Sequence, residues 1–364
     1  PLPVKIDHLG VLKMNNSNGF SPYLVEVEDV EKFLSDTQKN ILTTRYLLRD
    51  KEGNITESIN GLYARVATAI AKAEKPELQS YWAKQFYDLM KPDSNGQSLF
   101  LPATPCLVNA GTKYQQLSAC FAVAPTDDID SIFDAAKVGA KIFKTTAGCG
   151  FELSELRASQ APVSAGGVSS GPIVFAQLYN TTCFVIQAGG RRRGAMMFTL
   201  HCSHPDIEQF VVCKNDKEKK NLSNFNISVL ISDDFMQSVK HNLKWDLVEP
   251  STKKVVKTIM ARDLWNSIAA NACQSAEPGI IFDDRMQSFN ALPNLGKLAV
   301  NPCQEATLLT SPGFERGGML DACMLGSVSA YNEIYFNQDG SYNFDLFASN
   351  VRKAIRCLDS ALEI

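Results

Sequence analysis

Past residue 96 the hydrophobic period of the chain changes. Short apolar runs at 226–232 (NISVLIS), 279–282 (GIIF) and 325–330 alternate with stretches at 130–144, 172–187 and 261–276 whose apolar residues recur every three to four positions. No other feature constrains the fold as much, because alternating strand and helix signals predict an α/β architecture. The preceding residues read differently. Segments 29–48 and 58–75 carry helical spacing, and Ser58 is placed to cap the second. The loop KPDSNG at 91–96 closes this region. The expected organisation is a helical region over 1–95 followed by an α/β region over 96–364. The chain begins at Pro1 and stops at the end of an amphipathic stretch, 344–362, without a finishing cap, which reads as a piece of a longer protein.

A net charge of −3 disfavours a protein that coats nucleic acid, which needs clustered Lys and Arg. No apolar run approaches the roughly 18 residues of a membrane span. The ten cysteines are scattered and contain no C-x-x-C pair, which points to a reducing cytoplasm with most thiols acting as small buried hydrophobes.

The segment Asn301-Pro302-Cys303-Gln304-Glu305 sets an amide, a thiol and a carboxylate on alternate positions. In extended backbone these three would share one face and line a pocket wall, stiffened by Pro302. Two glycine-rich stretches follow helical patterns: TAGCG at 146–150 and AGGRRRGA at 188–195. The first reads as a helix C-cap, and the second, with three arginines, as a nucleotide-responsive loop. Neither is a dinucleotide fingerprint or a P-loop. His201, Cys202, His204 and Cys213 do not match a zinc template, and His204-Pro205-Asp206 reads as a helix start, so no metal site is expected. Asp127-Asp128-Ile129-Asp130 reads as a carboxylate-rich helix N-terminus, and the charged run at 214–220 as a solvated loop.

Taken in order, FLPATPCLVNAG at 100–111, QLSACF at 116–121, TDDIDSIF at 126–133, GCGFELSELR at 148–157, SGPIVFAQLYN at 170–180, GGRRRGAMM at 189–197, HPDIEQF at 204–210, FNISVLISDDFM at 225–236, EPGIIF at 277–282, NPCQEATL at 301–308 and ACMLGSVS at 322–329 resemble the catalytic subunit of ribonucleotide reductase, and within it the adenosylcobalamin-dependent class II. The resemblance covers about residues 38 to 335. It implies a ten-stranded α/β barrel, of which the N-terminal half and a central finger loop are present, preceded by a small helical domain. It implies that Cys303 is the thiyl radical site, Glu305 a general base at the ribose 3′ hydroxyl and Asn301 a hydrogen-bonding partner of the sugar. Cys120 and Cys323 would supply two reducing equivalents and close to a disulfide. Thr104, Ala119 and Gly148 would contact substrate alongside Asn301. Asp127, Arg157, Gln187 and Arg192 would bind or relay a deoxynucleotide effector.

The implied substrate is a ribonucleoside di- or triphosphate, the cofactor adenosylcobalamin, the reductant thioredoxin- or glutaredoxin-like, and the assembly a homodimer. The chain departs from the family pattern in several places: Cys106 replaces an aliphatic residue, Gln187 and Ala188 alter the relay loop, and a longer segment at 310–320 precedes Cys323. There is no Asp-x-His-x-x-Gly cobalamin motif, which the family does not require, and no Pro-Glu-x-Thr-Pro loop. Two other readings stay open: a class I subunit fed by a separate metal-containing radical protein, and a nucleotide sensor without turnover.

Overall fold

A computed structural model describes residues 5–6, 12–13, 23–164, 166–186, 194–214, 225–311 and 320–364. The chain divides into two compact units, one built from residues 1–119 and 324–364 and the other from 120–323; the sequence expectation set a single division at 95/96.

The first unit is mainly helical. Helix Ile59–Ala71 is its buried axis, and Ser58 caps it by accepting from the Gly61 N–H at 3.0 Å. Helix Asp36–Arg45 begins later than the expected residue 29, because a capping box fixes its start. The Ser35 hydroxyl takes the Gln38 N–H while the Gln38 side chain takes the Ser35 N–H. Helices Gln79–Met90 and Phe344–Leu362 complete the core, which gathers Leu62, Phe86, Tyr87, Cys106 and Cys357. The buried Arg65 pairs with Glu57 at 2.6 Å and donates to the carbonyls of Leu107 and Ala110, terminating the short helix Thr104–Asn109.

The second unit is α/β. Its sheet contains β1 (Cys120–Val123), β2 (Gly148–Glu152), β3 (Met196–His201), β4 (Phe225–Ile231) and β5 (Gly279–Phe282), all parallel, with β8 (Ala322–Cys323) antiparallel on the β1 edge. The order is β5-β4-β3-β2-β1-β8. A hairpin of β6 (Lys297–Val300) and β7 (Thr307–Thr310) packs on this sheet.

Residues alternate between the two faces of each strand. Cys149 and Phe151 of β2, Phe198 of β3, and Phe225, Ile227 and Val229 of β4 join helices Ile129–Lys144 and Pro172–Val185 in one core. There Phe151 stacks on Tyr179 with ring centroids 4.5 Å apart, and Phe198 meets Phe225 edge-on at 4.3 Å. Asp128 caps the first of these helices by accepting from the Ser131 N–H at 3.0 Å, in line with the carboxylate-rich start seen in the sequence.

Residues 148–150 of the stretch read from sequence as a glycine C-cap belong instead to a fully buried strand; the helix is capped by Thr145, and Thr146 after it takes the left-handed conformation, φ 66°. Among the described residues no helix is long and apolar enough to cross a membrane.

Candidate functional site

On the other face of the sheet β1 and β2 present small residues, Cys120, Ala122, Gly148 and Gly150, and this decides what can lie on it. Register places Cys120 beside Gly148, and Ser228 beside Gly279. A Cβ on Gly148 would come 2.7 Å from Pro302 Cγ, and one on Gly150 would collide with the Val300 carbonyl oxygen. The β6–β7 hairpin therefore approaches β2 backbone to backbone. Leu298, Val300 and Leu309 seal it against Met197, Leu230 and Met286, while Ala299 and Leu308 meet Ala122. Burying each of those large aliphatic side chains stabilises the docked hairpin by about 1.5–3 kcal/mol.

The hairpin turn is the NPCQE segment, and it is not extended. The Asn301 N–H donates to the Ala306 carbonyl at 3.2 Å, the Gln304 N–H to the Asn301 carbonyl at 3.2 Å, and the Ala306 N–H to Asn301 Oδ1 at 3.1 Å. Gln304 adopts φ 66°. The expectation of three side chains on one wall is corrected by this tight turn. Asn301 is fully buried with a relative exposure of 0%, while Cys303 and Glu305 are exposed.

Cys120 and Cys323 lie far apart in sequence but are direct register partners across β1 and β8. Antiparallel partners have Cα atoms about 4.5–5.5 Å apart, inside the range a disulfide spans. All ten cysteines are thiols here. The pair is electrostatically unequal. The hydrogen bond between the two sulfurs holds the Cys323 thiol below its ordinary range and pushes Cys120 far above it. Burial adds to the rise at Cys120, the Asn301 side chain opposes it, and the Glu305 carboxylate disfavours both thiolates. Cys323 is therefore the sulfur that ionises, with Cys120 as its hydrogen-bond donor. Alkylation at rising pH, read by peptide mass spectrometry, is expected to label Cys323 first. Equal labelling, or labelling of Cys120 first, would contradict this order.

Asn301 completes the cluster. Its Oδ1 is used by the turn, while its Nδ2 is buried and faces the Cys120 sulfur, a weak acceptor, without reaching a well-formed hydrogen bond among the described residues. A buried unsatisfied donor costs about 1–3 kcal/mol, a cost that a bound acceptor would remove.

The other expected positions are distributed more widely. Thr104 and Ala119 belong to the first unit; the Thr104 hydroxyl meets Tyr46 Oη at 3.2 Å, and Ala119 is buried. Gly148 is buried against Pro302. Asp127 and Arg157 engage each other, with Arg157 donating from Nε at 2.7 Å and from its backbone N–H at 3.0 Å. Gln187 and Arg192 lie outside the described residues.

His204 is buried and both of its ring nitrogens are used. Nδ1 accepts from the Asp206 N–H at 3.0 Å and Nε2 lies 2.9 Å from the Leu156 carbonyl, so the ring is held neutral, and burial lowers its pKa. The described residues contain no cluster of three metal-ligating side chains. Sequence reasoning missed the docking role of Gly150 and the part played by Ser228 and Gln304. The alternation Gly-Cys-Gly within a buried strand carried the signal for the first.

A family model described as the ribonucleotide reductase barrel domain matches residues 118–364, and one described as the all-alpha domain matches residues 32–115. The vitamin B12-dependent ribonucleoside-diphosphate reductase of Thermoplasma acidophilum is 34% identical over 93% of this chain and 50% of its own length. The protein of that name from Mycobacterium tuberculosis (strain CDC 1551 / Oshkosh) is 34% identical over 94% of this chain and 47% of its own. The ribonucleoside-diphosphate reductase large subunit of Trypanosoma brucei brucei is 28% identical over 88% and 40% respectively. The chain thus spans about half the length of the curated relatives it matches, or less. With an all-alpha domain leading into a barrel domain, and two sulfurs set opposite each other beside a finger-like hairpin, the chain belongs to the ribonucleotide reductase large-subunit family.

Proposed function

We propose that the intact protein reduces ribonucleotides to 2′-deoxyribonucleotides, with Cys303 as radical carrier and Cys120 and Cys323 as the reducing pair. The observation that carries this reading is the cluster itself: two thiols in disulfide register, with the unsatisfied Asn301 amide and the Glu305 carboxylate beside them.

In this reading the Cys303 thiyl takes the 3′ hydrogen of the ribose, so a C–H bond breaks and the S–H bond re-forms. Glu305 receives the 3′ hydroxyl proton. The buried Asn301 Nδ2 donates to a sugar hydroxyl and fixes the ring. The 2′ hydroxyl leaves as water, taking a proton from the Cys120–Cys323 pair. The second hydrogen of that pair goes to C2′ as the pair gives up two electrons and closes to a disulfide; Glu305 returns its proton to the 3′ oxygen, and Cys303 returns the 3′ hydrogen to carbon. The sum is ribonucleotide plus dithiol giving deoxyribonucleotide, water and disulfide. External thiols reopen the disulfide, and the low-pKa sulfur, Cys323, is the better leaving group in that exchange.

Relatives named vitamin B12-dependent reductases of ribonucleoside diphosphates support adenosylcobalamin as cofactor and a diphosphate substrate. When bound, that cofactor supplies the one-electron oxidant for a thiol hydrogen. Cys303 fits the encounter because it is exposed at the tip of a turn, where a large group can reach its sulfur. No other described residue is assigned to the cofactor. Exposed apolar side chains on two helices of the second unit, Ile129 and Phe133 on one and Val174, Phe184 and Val185 on the other, support a homodimer. Effector binding at Asp127, Arg157, Gln187 and Arg192 belongs to the same proposal, as do a thioredoxin- or glutaredoxin-like reductant and a cytoplasmic setting.

The test is turnover of a ribonucleoside diphosphate by the intact protein with a dithiol, with and without adenosylcobalamin. Deoxynucleotide formed only with the cofactor supports the proposal. Activity that needs a metal-containing radical subunit instead would remove the cobalamin assignment. Effector binding without turnover under any of these conditions would remove the reductase reading.

A further inference from the structure

We propose that Gln304, Ser228 and Gly279 form a latch that positions the finger turn, with Gln304 a positioning residue for Cys303. The inference rests on the reductase reading for its consequence in turnover, though not for the latch itself.

Gln304 occupies left-handed backbone, φ 66°, a region that favours glycine because a Cβ there crowds the carbonyl. A long amide side chain in that position needs a compensating contact, and the structure supplies one. Its Nε2 donates to the hydroxyl of Ser228, a fully buried residue on β4, and lies 3.8 Å from Met197 Sδ on β3. On β5, the register partner of Ser228 is Gly279. A Cβ on Gly279 would come 2.7 Å from Ser228 Oγ and 3.0 Å from Gln304 Nε2. The absence of a side chain at 279 is what leaves room for the amide to reach the serine. Three chain segments therefore meet at one neutral hydrogen bond, and that bond belongs to the residue between Cys303 and Glu305.

Its mechanical effect follows from the turn. The Gln304 N–H and the Ala306 N–H both bond to Asn301, so anchoring the Gln304 side chain holds Asn301, Cys303 and Glu305 in one fixed arrangement. Misplacing reacting groups by about 1 Å costs as much as 10²-fold in rate. A glycine at 304 would relax the backbone but leave the turn unanchored.

The test compares Gln304→Ala, Gln304→Gly, Ser228→Ala and the double variant Gln304→Ala/Ser228→Ala. Hydrogen–deuterium exchange is read at the Gln304 and Ala306 amides, and kcat and KM are measured in the intact protein. Each single variant is expected to speed exchange at the turn about three- to tenfold, the equivalent of losing one neutral hydrogen bond. The double variant should go no further than either single one, with amides of β3 and β4 unchanged. Turnover should fall through kcat with KM held. Exchange within twofold of wild type in Gln304→Ala, additive effects in the double variant, or a silent Gln304→Gly would overturn the latch. Faster exchange in a wild-type background that shows no nucleotide reduction would leave the latch standing and remove the reductase reading.

Discussion

Replacing Cys303 by serine is expected to abolish ribonucleotide reduction by the intact protein, by about 10⁴-fold or more, while leaving its stability almost untouched. The two halves of this result have separate causes. An alcohol O–H is too strong a bond to exchange hydrogen with a ribose carbon, so the radical step has no substitute, and removing one member of a catalytic set that acts as a unit forfeits nearly all of its rate. The stability half follows from placement. Cys303 is exposed on a turn that main-chain hydrogen bonds through Asn301, Gln304 and Ala306 hold together, and serine keeps nearly the same size and shape there. Surface changes of this kind stay within about 0.5 kcal/mol. Denaturant midpoint and deoxynucleotide formation measured on the same preparation check both halves. A serine variant that still turns over within tenfold of wild type would remove Cys303 from the radical chemistry.

Gly150→Ala is expected to destabilise the second unit by about 3 kcal/mol or more. The added methyl would meet the Val300 carbonyl oxygen, with the Val300 carbonyl carbon 3.0 Å away and that of Asn301 3.5 Å away. All three are main-chain atoms, so no rotamer change relieves the overlap and the hairpin must lift. Lifting it strips Leu298, Val300 and Leu309 of their partners Met197, Leu230 and Met286. Overpacking a filled interior costs about 1–3 kcal/mol by itself, and the lost burial adds to it. Gly148→Ala should cost less, because its nearest obstacle is the Pro302 ring, 2.7 Å away, whose pucker can adjust. Urea midpoints rank the two. A Gly150→Ala midpoint equal to wild type, or less disturbed than that of Gly148→Ala, would mean that the hairpin does not rest on β2 as described.

Local elements were readable from sequence where a side chain acts on its own neighbourhood. Strand 279–282 and helix Phe344–Leu362 have the bounds that periodicity predicts, and Ser58 caps its helix by the mechanism its position implies. The single helix read over 29–48 is divided: residues Glu31–Phe33 form a separate 3-10 turn, and the Ser35–Gln38 capping box starts the α-helix at Asp36. The motif at 301–305 signalled chemistry but not shape. Alternation implies a common face only in extended backbone, and here long-range contacts, Pro302 on Gly148 and Gln304 on Ser228, select a turn. The opposition of Cys120 and Cys323 could be taken only from a family resemblance, since no spacing rule connects residues so distant in the chain. The part of Gly150 was hidden for the same reason, because what presses on it comes from Val300.

The bare strip of β2 has one more consequence. Side chains in an interior hop between rotamers and differ in volume from one substitution to the next, so an element resting on them inherits their fluctuations. At Gly150 the finger rests on main chain, and main chain carries it. The height of its tip above the sheet is thus set by two peptide planes in contact, a gauge with no adjustable part. A reactive sulfur mounted on such a gauge keeps its elevation while the core beneath it breathes.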